Sequence, residues 1–277
     1  MKSIYKVMED ISIISQITYK TIDSLEKQLD VYYPAKKLGK EPWEELSDQT
    51  KPTLIYFHGG GWVSGDRISR SLAFLPYLEK GWCVVNVDYR LLQETNLIGC
   101  VNDCIDAINW VNENSSTYKF DTDQIYLSGE SAGGHLALLA GMINEFELDG
   151  HHLSKRKGAI KGIINWYGIT ETKSAIAFWN DEGYTDLILK KWEGDRNRYL
   201  EFTSPINHIS QQKTPPIISF HGNKDINVEY EQATLLHEKL EASGVKNKLV
   251  TIEGKKHGDF SANDLEFIFN EIWGFLK

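Results

Sequence analysis

Cysteine is scarce in this 277-residue sequence, which contains only Cys83, Cys100 and Cys104. Three cysteines cannot all pair, so at least one thiol is free. Cys100 and Cys104 lie one helical turn apart in an apolar stripe with Ile108 and Val111, and we interpret them as small core residues. Free thiols are typical of a reducing compartment, and we therefore expect a cytoplasmic protein.

Long hydrophobic runs are also missing. No apolar stretch approaches the ~20 residues that a helix needs to cross a bilayer, so the sequence predicts no membrane span. Residues 1–20 include Glu9 and Asp10 and contain no continuous apolar segment. Such a beginning does not match a signal peptide.

Basic side chains are outnumbered. The chain has 30 Lys and Arg against 39 Asp and Glu, which gives a formal net charge of −9. A protein that binds nucleic acid normally shows the opposite balance, because it must neutralise phosphates. We therefore expect no nucleic-acid partner.

Signatures of metal and phosphate binding are absent from the sequence as well. No spacing of His, Cys and Asp is typical of a zinc site, and H-E-x-x-H does not occur. The glycines at 59–61 do not belong to a G-x-x-x-x-G-K-[ST] phosphate loop. We predict neither a metal nor a cofactor.

The pattern of apolar residues is that of an α/β protein. Short apolar strands without strict alternation are separated by amphipathic helices, which indicates a mostly parallel sheet with helices on both faces. We predict one domain over 1–277, a surface loop at 35–52 and a lid segment at 169–204 that is rich in aromatic and charged residues. The predicted strands are 29–33, 53–57, 82–87, 125–128, 162–167, 217–221 and 248–252, and the predicted helices are 68–78, 97–111, 131–142, 230–243 and 262–275.

The most informative motif is G-E-S-A-G at 129–133, directly after a predicted strand and before a predicted helix. Glycines on either side of Ser131 allow a strained turn in which the backbone passes close to its neighbours. Such a turn lifts the Ser131 hydroxyl clear of the sheet at the N-terminus of the helix. The motif predicts that Ser131 is a nucleophile.

A second motif, H-G-G-G-W at 58–62, follows the strand that ends at Phe57. Its consecutive glycines expose peptide N–H groups, which can bind the oxyanion that forms when a carbonyl carbon becomes tetrahedral. We expect His58 to brace this loop through a ring hydrogen bond.

A serine nucleophile needs a base, and the base needs an acid that orients it. His257 lies in the loop between the last strand and the last helix, and Asp225 lies just beyond the preceding strand. All three residues follow the carboxyl ends of strands, which meet at one edge of a parallel sheet. We therefore predict Ser131, Asp225 and His257 as the catalytic residues.

These motifs, together with D-Y-R-L at 88–91 and H-G-x-x-D at 221–225, resemble the α/β-hydrolase superfamily. Within it, the chain is similar to the HGGG-type esterases of the hormone-sensitive-lipase and feruloyl/acetyl-xylan esterase-like branch. The resemblance implies a carboxylic-ester hydrolase with Ser131 as nucleophile, and an oxyanion hole formed by the N–H groups of Gly60, Gly61 and Ala132. Two departures are a missing Val-Pro pair after Asp225 and a short N-terminal segment, which implies open access for the substrate.

Aromatic residues indicate the substrate. Trp62 adjoins the glycine loop, Trp166 and Tyr167 end a strand whose tip faces the expected site, and Trp179 lies in the lid segment with Phe178, Tyr184 and Trp192. An aromatic pocket suits a hydroxycinnamoyl group or a sugar ring, and a short acyl ester such as acetate is also compatible. The expected partner is a small-molecule or oligosaccharide ester, and the sequence does not specify an oligomeric state. An arylformamidase and a non-catalytic binding homologue are the alternatives.

Overall fold

The computed structural model describes residues 11–34, 49–69, 71–143, 147–148, 151–189 and 191–277. Within these residues, ten strands and nine α-helices are present. The strands are β1 (Ser12–Ile22), β2 (Leu25–Tyr33), β3 (Lys51–Phe57), β4 (Cys83–Val87), β5 (Phe120–Glu130), β6 (Glu147–Leu148), β7 (His151–His152), β8 (Gly162–Trp166), β9 (Ile217–Gly222) and β10 (Asn247–Ile252). The helices are α1 (Leu75–Glu79), α2 (Leu97–Glu113), α3 (Ser115–Tyr118), α4 (Ala132–Met142), α5 (Thr172–Trp179), α6 (Glu182–Leu189), α7 (Arg196–Phe202), α8 (Tyr230–Ala242) and α9 (Ala262–Phe275).

Eight of the described strands form one sheet in the order β1-β2-β4-β3-β5-β8-β9-β10. All pairings from β4 to β10 are parallel, and β2 joins β1 and β4 in antiparallel fashion. The apolar side chains on the two faces form separate core clusters, one with α2, α4 and α8 and the other with α1 and α9. The predicted mostly parallel sheet with helices on both faces is confirmed.

The helix α4 is buried along its whole length, as are all three cysteines of the chain. A helix that is apolar on every side belongs in the interior. The interpretation of Cys100 and Cys104 as core residues is confirmed. Among the described residues, no helix has the length and apolarity needed to cross a bilayer.

Two local predictions need correction. The strand β1 was not predicted, and it pairs with β2 across register irregularities between Ile14 and Ile17 and between Thr18 and Lys20. The helix predicted at 68–78 is a 3₁₀ turn at Ser71–Phe74 followed by the short α1, which has Pro76 in its first turn. Proline lacks the N–H that would continue a helix from the preceding turn. Much of the loop predicted at 35–52 lies outside the described residues, and its end belongs to β3.

A buried ion-pair network fastens the β1 end of the sheet to α2. The Asp103 carboxylate is inaccessible to solvent and accepts hydrogen bonds from Lys20 Nζ at 2.6 Å and from Arg90 Nε at 2.8 Å. The Arg90 backbone N–H also donates to Asp103 at 2.9 Å. The buried Asp103 carboxylate thus joins three separate segments of the chain. Removal of a basic partner would leave its buried negative charge less well compensated.

Two buried histidines make the stability depend on pH. Burial lowers the pKa of His135 and of His237 to about 4. As the pH falls, these two histidines are therefore protonated in the unfolded chain before they are protonated in the folded one. The free energy of unfolding decreases as pH drops from about 6.5 to about 4. The expected loss between pH 7 and pH 5 is about 2 kcal/mol for each histidine.

Urea unfolding at pH 7 and pH 5 tests this pH dependence. The His237→Gln variant should lose less stability than the unmodified chain between the two pH values, by about 2 kcal/mol. A substitution of the exposed His152 serves as the matched control. An equal pH dependence in the chain with and without His237 would contradict the expectation.

Candidate active site

Ser131 occupies a sharp turn between β5 and α4. Its backbone has φ 53° and ψ −120°, in the left-handed region that a non-glycine residue rarely adopts. The neighbouring glycines permit this turn, because a Cβ on Gly133 would lie 2.0 Å from the Phe57 carbonyl oxygen and one on Gly129 would lie 2.3 Å from the Gly133 backbone. The Ser131 N–H donates to the Trp166 carbonyl at 2.9 Å, which ties the turn to β8.

The glycine loop after β3 lies beside this turn. Gly60 has φ +112° and Gly61 has φ +61°, and a Cβ on Gly60 would meet the Ser64 carbonyl oxygen at 2.2 Å. The loop folds back on itself, because the N–H groups of Val63 and Ser64 both donate to the Gly60 carbonyl. Within the described part of the chain, the Gly60 and Gly61 N–H groups donate to no protein acceptor.

The D-Y-R motif at 88–90 contacts the glycine loop through Tyr89. Tyr89 donates its hydroxyl hydrogen to the His58 carbonyl at 2.8 Å, and the two rings stack with centroids 4.4 Å apart. His58 Nδ1 lies 2.7 Å from the Gly59 carbonyl, which confirms the predicted brace. On either side of Tyr89, Asp88 pairs with Arg67 and Arg90 pairs with Asp103. The motif therefore serves structure rather than contact with a ligand.

Asp225 and His257 meet at the carboxyl ends of β9 and β10. His257 Nδ1 donates to Asp225 Oδ2 at 2.6 Å, and His221 Nε2 approaches the same oxygen at 3.2 Å. The other oxygen, Oδ1, accepts from the backbone N–H groups of Asn227 at 2.8 Å and Val228 at 3.0 Å. Burial disfavours the charge, but the bonds from His221, His257 and Val228 outweigh it and hold the pKa of Asp225 below its ordinary value.

The serine turn, the glycine loop and the loop that carries His257 surround a cavity of about 650 Å³. Ser131 and His257 both line it, together with the glycine loop. The Ser131 hydroxyl makes no hydrogen bond to any described residue, so its oxygen faces the cavity without a protein partner. The lining consists of Gly59, Gly60, Gly61, Trp62, Glu130, Ser131, Tyr167, Ile169, Phe178, Trp179, Asp181, Tyr184, Ile226, Asn227, Val228 and His257.

The predicted substrate-contacting aromatics divide into two groups. Tyr167 and Trp179 line the cavity, and the fully buried Trp62 forms part of its wall, where it packs against Trp179. Trp166 does not line the cavity, because it packs against Phe220 and α9 on the opposite face of the sheet.

The lid segment at 169–204 contains α5, α6 and α7. Its residues Phe178 and Tyr184 line the cavity, as expected. Trp192 instead stacks on Tyr199, with ring centroids 4.7 Å apart, and belongs to the core contacts of the lid segment.

Sequence reasoning missed Glu130 and the residues just after Asp225. Glu130 Oε2 accepts from the Tyr167 hydroxyl at 2.7 Å, and the Tyr167 ring lies 4.6 Å from the His257 ring in an edge-to-face contact. The position of Glu130 beside the nucleophile was a signal that could have been used. The segment after Asp225 was considered only because it lacks a Val-Pro pair, and its residues Ile226 and Asn227 line the cavity.

No group of three or more His, Cys, Asp or Glu side chains in the described ranges could hold a metal ion. Among the groups at the cavity, Glu130 accepts from the Tyr167 hydroxyl, Asp181 accepts from the Tyr184 backbone N–H, and His257 bonds to Asp225. Their arrangement favours proton transfer and nucleophilic attack by the chain's own side chains.

The sheet order, the strained serine turn and the loop-borne Asp225–His257 pair define the α/β-hydrolase fold. Solved structures of this fold superpose on the chain. A carbohydrate esterase from gut microbiota has a TM-score of 0.77 and 19% identity and covers 96% of both chains. Esterase 2 of Thermogutta terrifontis has a TM-score of 0.75 and 25% identity, and the match covers 97% of this chain and 94% of that one.

The chain belongs to the BD-FAE family, whose model matches residues 29–240. Among curated proteins, it is 27% identical over 249 residues to the isoprenylcysteine alpha-carbonyl methylesterase of Arabidopsis thaliana, covering 87% of this chain and 56% of that protein. It is 26% identical over 238 residues to esterase LipC of Mycobacterium tuberculosis, covering 81% and 57%. The chain thus spans little more than half the length of these relatives, and both relatives are named as esterases.

Proposed function

We propose that this protein is a serine carboxylesterase that hydrolyses short-chain or aromatic acyl esters. The observation that carries the proposal is the shared cavity, in which the unpartnered Ser131 hydroxyl faces the same space as His257, itself bonded to Asp225 at 2.6 Å. The esterases among its relatives and the BD-FAE family support the same reaction class.

The reaction is a two-step acyl transfer. His257 Nε2 takes the proton of Ser131 as the serine oxygen attacks the ester carbonyl, and Asp225 keeps the proton of His257 on Nδ1. The N–H groups of Gly60, Gly61 and Ala132 receive the oxyanion. The alcohol leaves with the proton from His257, and water then cleaves the acyl-serine by the same route.

The cavity walls support the substrate class. Tyr167, Trp179, Phe178 and Tyr184 offer aromatic surface to an acyl or alcohol group. Feruloyl or acetyl esters of plant polysaccharide fit such walls, and other oligosaccharide or small-molecule esters fit them equally.

Initial rates on a panel of esters test the proposal. The panel contains methyl ferulate, acetylated xylan oligosaccharide, 4-nitrophenyl acetate, 4-nitrophenyl butyrate and N-formylkynurenine. Hydrolysis of the nitrophenyl esters is expected, and preference for ferulate or acetyl-xylan would place the protein among polysaccharide esterases. Faster cleavage of N-formylkynurenine would identify an arylformamidase instead, and no turnover of any compound would favour a binding protein.

The charge of the cavity predicts selection against anionic esters. Its charged lining residues among those described are Glu130 and Asp181, and it has no Lys or Arg. A carboxylate on the acyl chain would be repelled by these two carboxylates, at a cost of about 1 kcal/mol or more for each close contact. We expect kcat/KM for 4-nitrophenyl hexanoate to exceed that for the mono-4-nitrophenyl ester of glutaric acid by about tenfold, after subtraction of the spontaneous rate.

The variant Asp181→Asn should lower the ratio of the two kcat/KM values, because it removes one of the repelling charges. Added salt should lower the ratio further, because exposed charges are screened. Equal kcat/KM for the two esters in the unmodified protein would contradict the expectation.

A further inference from the structure

Two side chains of the lid segment bond to the two loops that flank the cavity. The Trp179 indole N–H donates to the Asn227 carbonyl at 2.6 Å. The Tyr184 hydroxyl donates to the Gly61 carbonyl at 2.6 Å. The first loop follows β9 and carries Asp225, and the second is the glycine loop after β3. The lid segment is therefore attached to both loops by hydrogen bonds, in addition to its apolar packing.

The bond from Trp179 leads to Asp225 through a single peptide group. The Asn227 carbonyl and the Val228 N–H belong to the same peptide bond, and the Val228 N–H donates to Asp225 Oδ1 at 3.0 Å. The other oxygen of Asp225 holds His257. A donor on the carbonyl side of a peptide strengthens the bond that its N–H makes, because hydrogen bonds in a chain polarise one another. Trp179 thus acts on the orientation and charge of Asp225 without touching it.

The bond from Tyr184 acts on the glycine loop. Gly61 has a positive φ. Its carbonyl belongs to the peptide group that joins Gly61 to Trp62. Tyr184 fixes that peptide from the cavity side, while the N–H groups of Val63 and Ser64 fix the Gly60 carbonyl within the loop. Burial raises the pKa of Tyr184, so its hydroxyl remains a donor across the working pH range.

Aromatic packing holds both donors in place. The Trp179 ring lies 5.2 Å from the Tyr184 ring and 6.1 Å from the Trp62 ring, and both contacts are edge-to-face. Trp62 follows Gly61 directly in the chain. The three rings therefore form one cluster, which joins the lid segment to the glycine loop through contacts that survive the loss of either polar group.

We propose that Trp179 and Tyr184 are positioning residues: Trp179 orients Asp225 through the Asn227–Val228 peptide, and Tyr184 orients the glycine loop for the oxyanion. This inference rests on the proposed esterase function. It assigns the lid segment a part in the rate of the chemical step, beyond the shaping of the cavity wall.

Conservative variants separate the two roles. Tyr184→Phe and Trp179→Phe keep an aromatic ring in the cluster and remove the donor. Phe178→Leu is the matched control for wall shape, because Phe178 lines the same cavity and contributes no polar atom. Each purified variant is assayed with 4-nitrophenyl acetate, after circular dichroism and thermal unfolding have shown that it folds.

We expect Tyr184→Phe to lower kcat by about tenfold with KM nearly unchanged. Its affinity for an aryl trifluoromethyl ketone, which forms the tetrahedral adduct, should fall by a similar factor. We expect Trp179→Phe to lower kcat by about fivefold and to shift the downfield proton resonance of the His257–Asp225 hydrogen bond. Phe178→Leu should change KM and leave that resonance in place.

A change of KM alone in Tyr184→Phe, or an unshifted resonance with normal kcat in Trp179→Phe, would overturn the corresponding assignment. The unmodified protein distinguishes this failure from that of the proposed function. If it does not hydrolyse any ester, the esterase proposal fails and this inference fails with it. If it hydrolyses 4-nitrophenyl acetate and both variants match it in kcat, only the inference fails.

Discussion

Replacement of Ser131 by alanine is expected to lower kcat for 4-nitrophenyl acetate by about 10⁴- to 10⁶-fold. The hydroxyl is the sole group of this side chain that can attack the ester, and its removal leaves only binding and the oxyanion donors to assist water. The fold should persist, because the Ser131 hydroxyl bonds to no described residue and alanine adopts the same turn at similar cost. Single-turnover and steady-state rates with the purified variant measure the effect.

Ser243→Ala is the matched control, since Ser243 caps the C-terminus of α8 and does not line the cavity. Its activity should equal that of the unmodified protein. A fluorophosphonate that labels serine nucleophiles should add its mass to the unmodified chain and to Ser243→Ala. Labelling or near-normal turnover of the Ser131→Ala protein would disprove the assignment of the nucleophile.

The second large effect is expected at Asp225. Asp225→Asn should lower kcat by about 10⁴-fold, comparable to the loss seen when a triad acid becomes an amide elsewhere. The carboxylate accepts bonds from His257, from His221 and from two backbone N–H groups, Asn227 and Val228. An amide NH₂ in that place faces one of these donors, so His257 turns or changes tautomer. Its Nε2 is then no longer free to accept the serine proton.

Asp123→Asn controls for the change of charge, because Asp123 is exposed and lies outside the cavity. It should retain full activity. The Asp225→Asn protein should also lack the downfield His257 proton resonance while keeping a normal circular dichroism spectrum. A folded Asp225→Asn protein with more than about a tenth of the original kcat would contradict the role of Asp225 as the orienting acid.

Local motifs predicted much of the candidate site. Ser131 and the glycine loop could be located because their backbone geometry depends on glycines within a few residues. Asp225 and His257 could be located because the ends of parallel strands lie at a common edge. The structure brings this pair within hydrogen-bond distance. Their catalytic roles remain predictions.

Side-chain direction at the end of a strand was harder to predict. Ile164 and Trp166 are two residues apart in β8, so they share a face of the sheet, and that face packs against α9. The interpretation of Trp166 as a cavity residue used its position at the strand end and ignored this alternation. Tyr167, one residue later, has φ 41° and leaves the strand toward the cavity.

Contacts that depend on the packing of the lid segment could not be predicted from the sequence. The bonds from Trp179 to Asn227 and from Tyr184 to Gly61 depend on how the lid segment packs, and no local pattern encodes them. The strand β1 was missed for a related reason. Its residues are half exposed and its register is irregular, so its apolar pattern is weak, and pairing with β2 defines it.

The strand order also bears on how the protein would recover the proposed esterase activity after denaturation. Ser131, Asp225 and His257 follow β5, β9 and β10, and the parallel pairings that connect these strands, by way of β8, join segments that are far apart in the chain. Such nonlocal pairings form slowly compared with helices. Ellipticity should therefore return before hydrolysis in a refolding experiment. The rate at which hydrolysis returns would then report the rate at which β9 and β10 pair with the rest of the sheet.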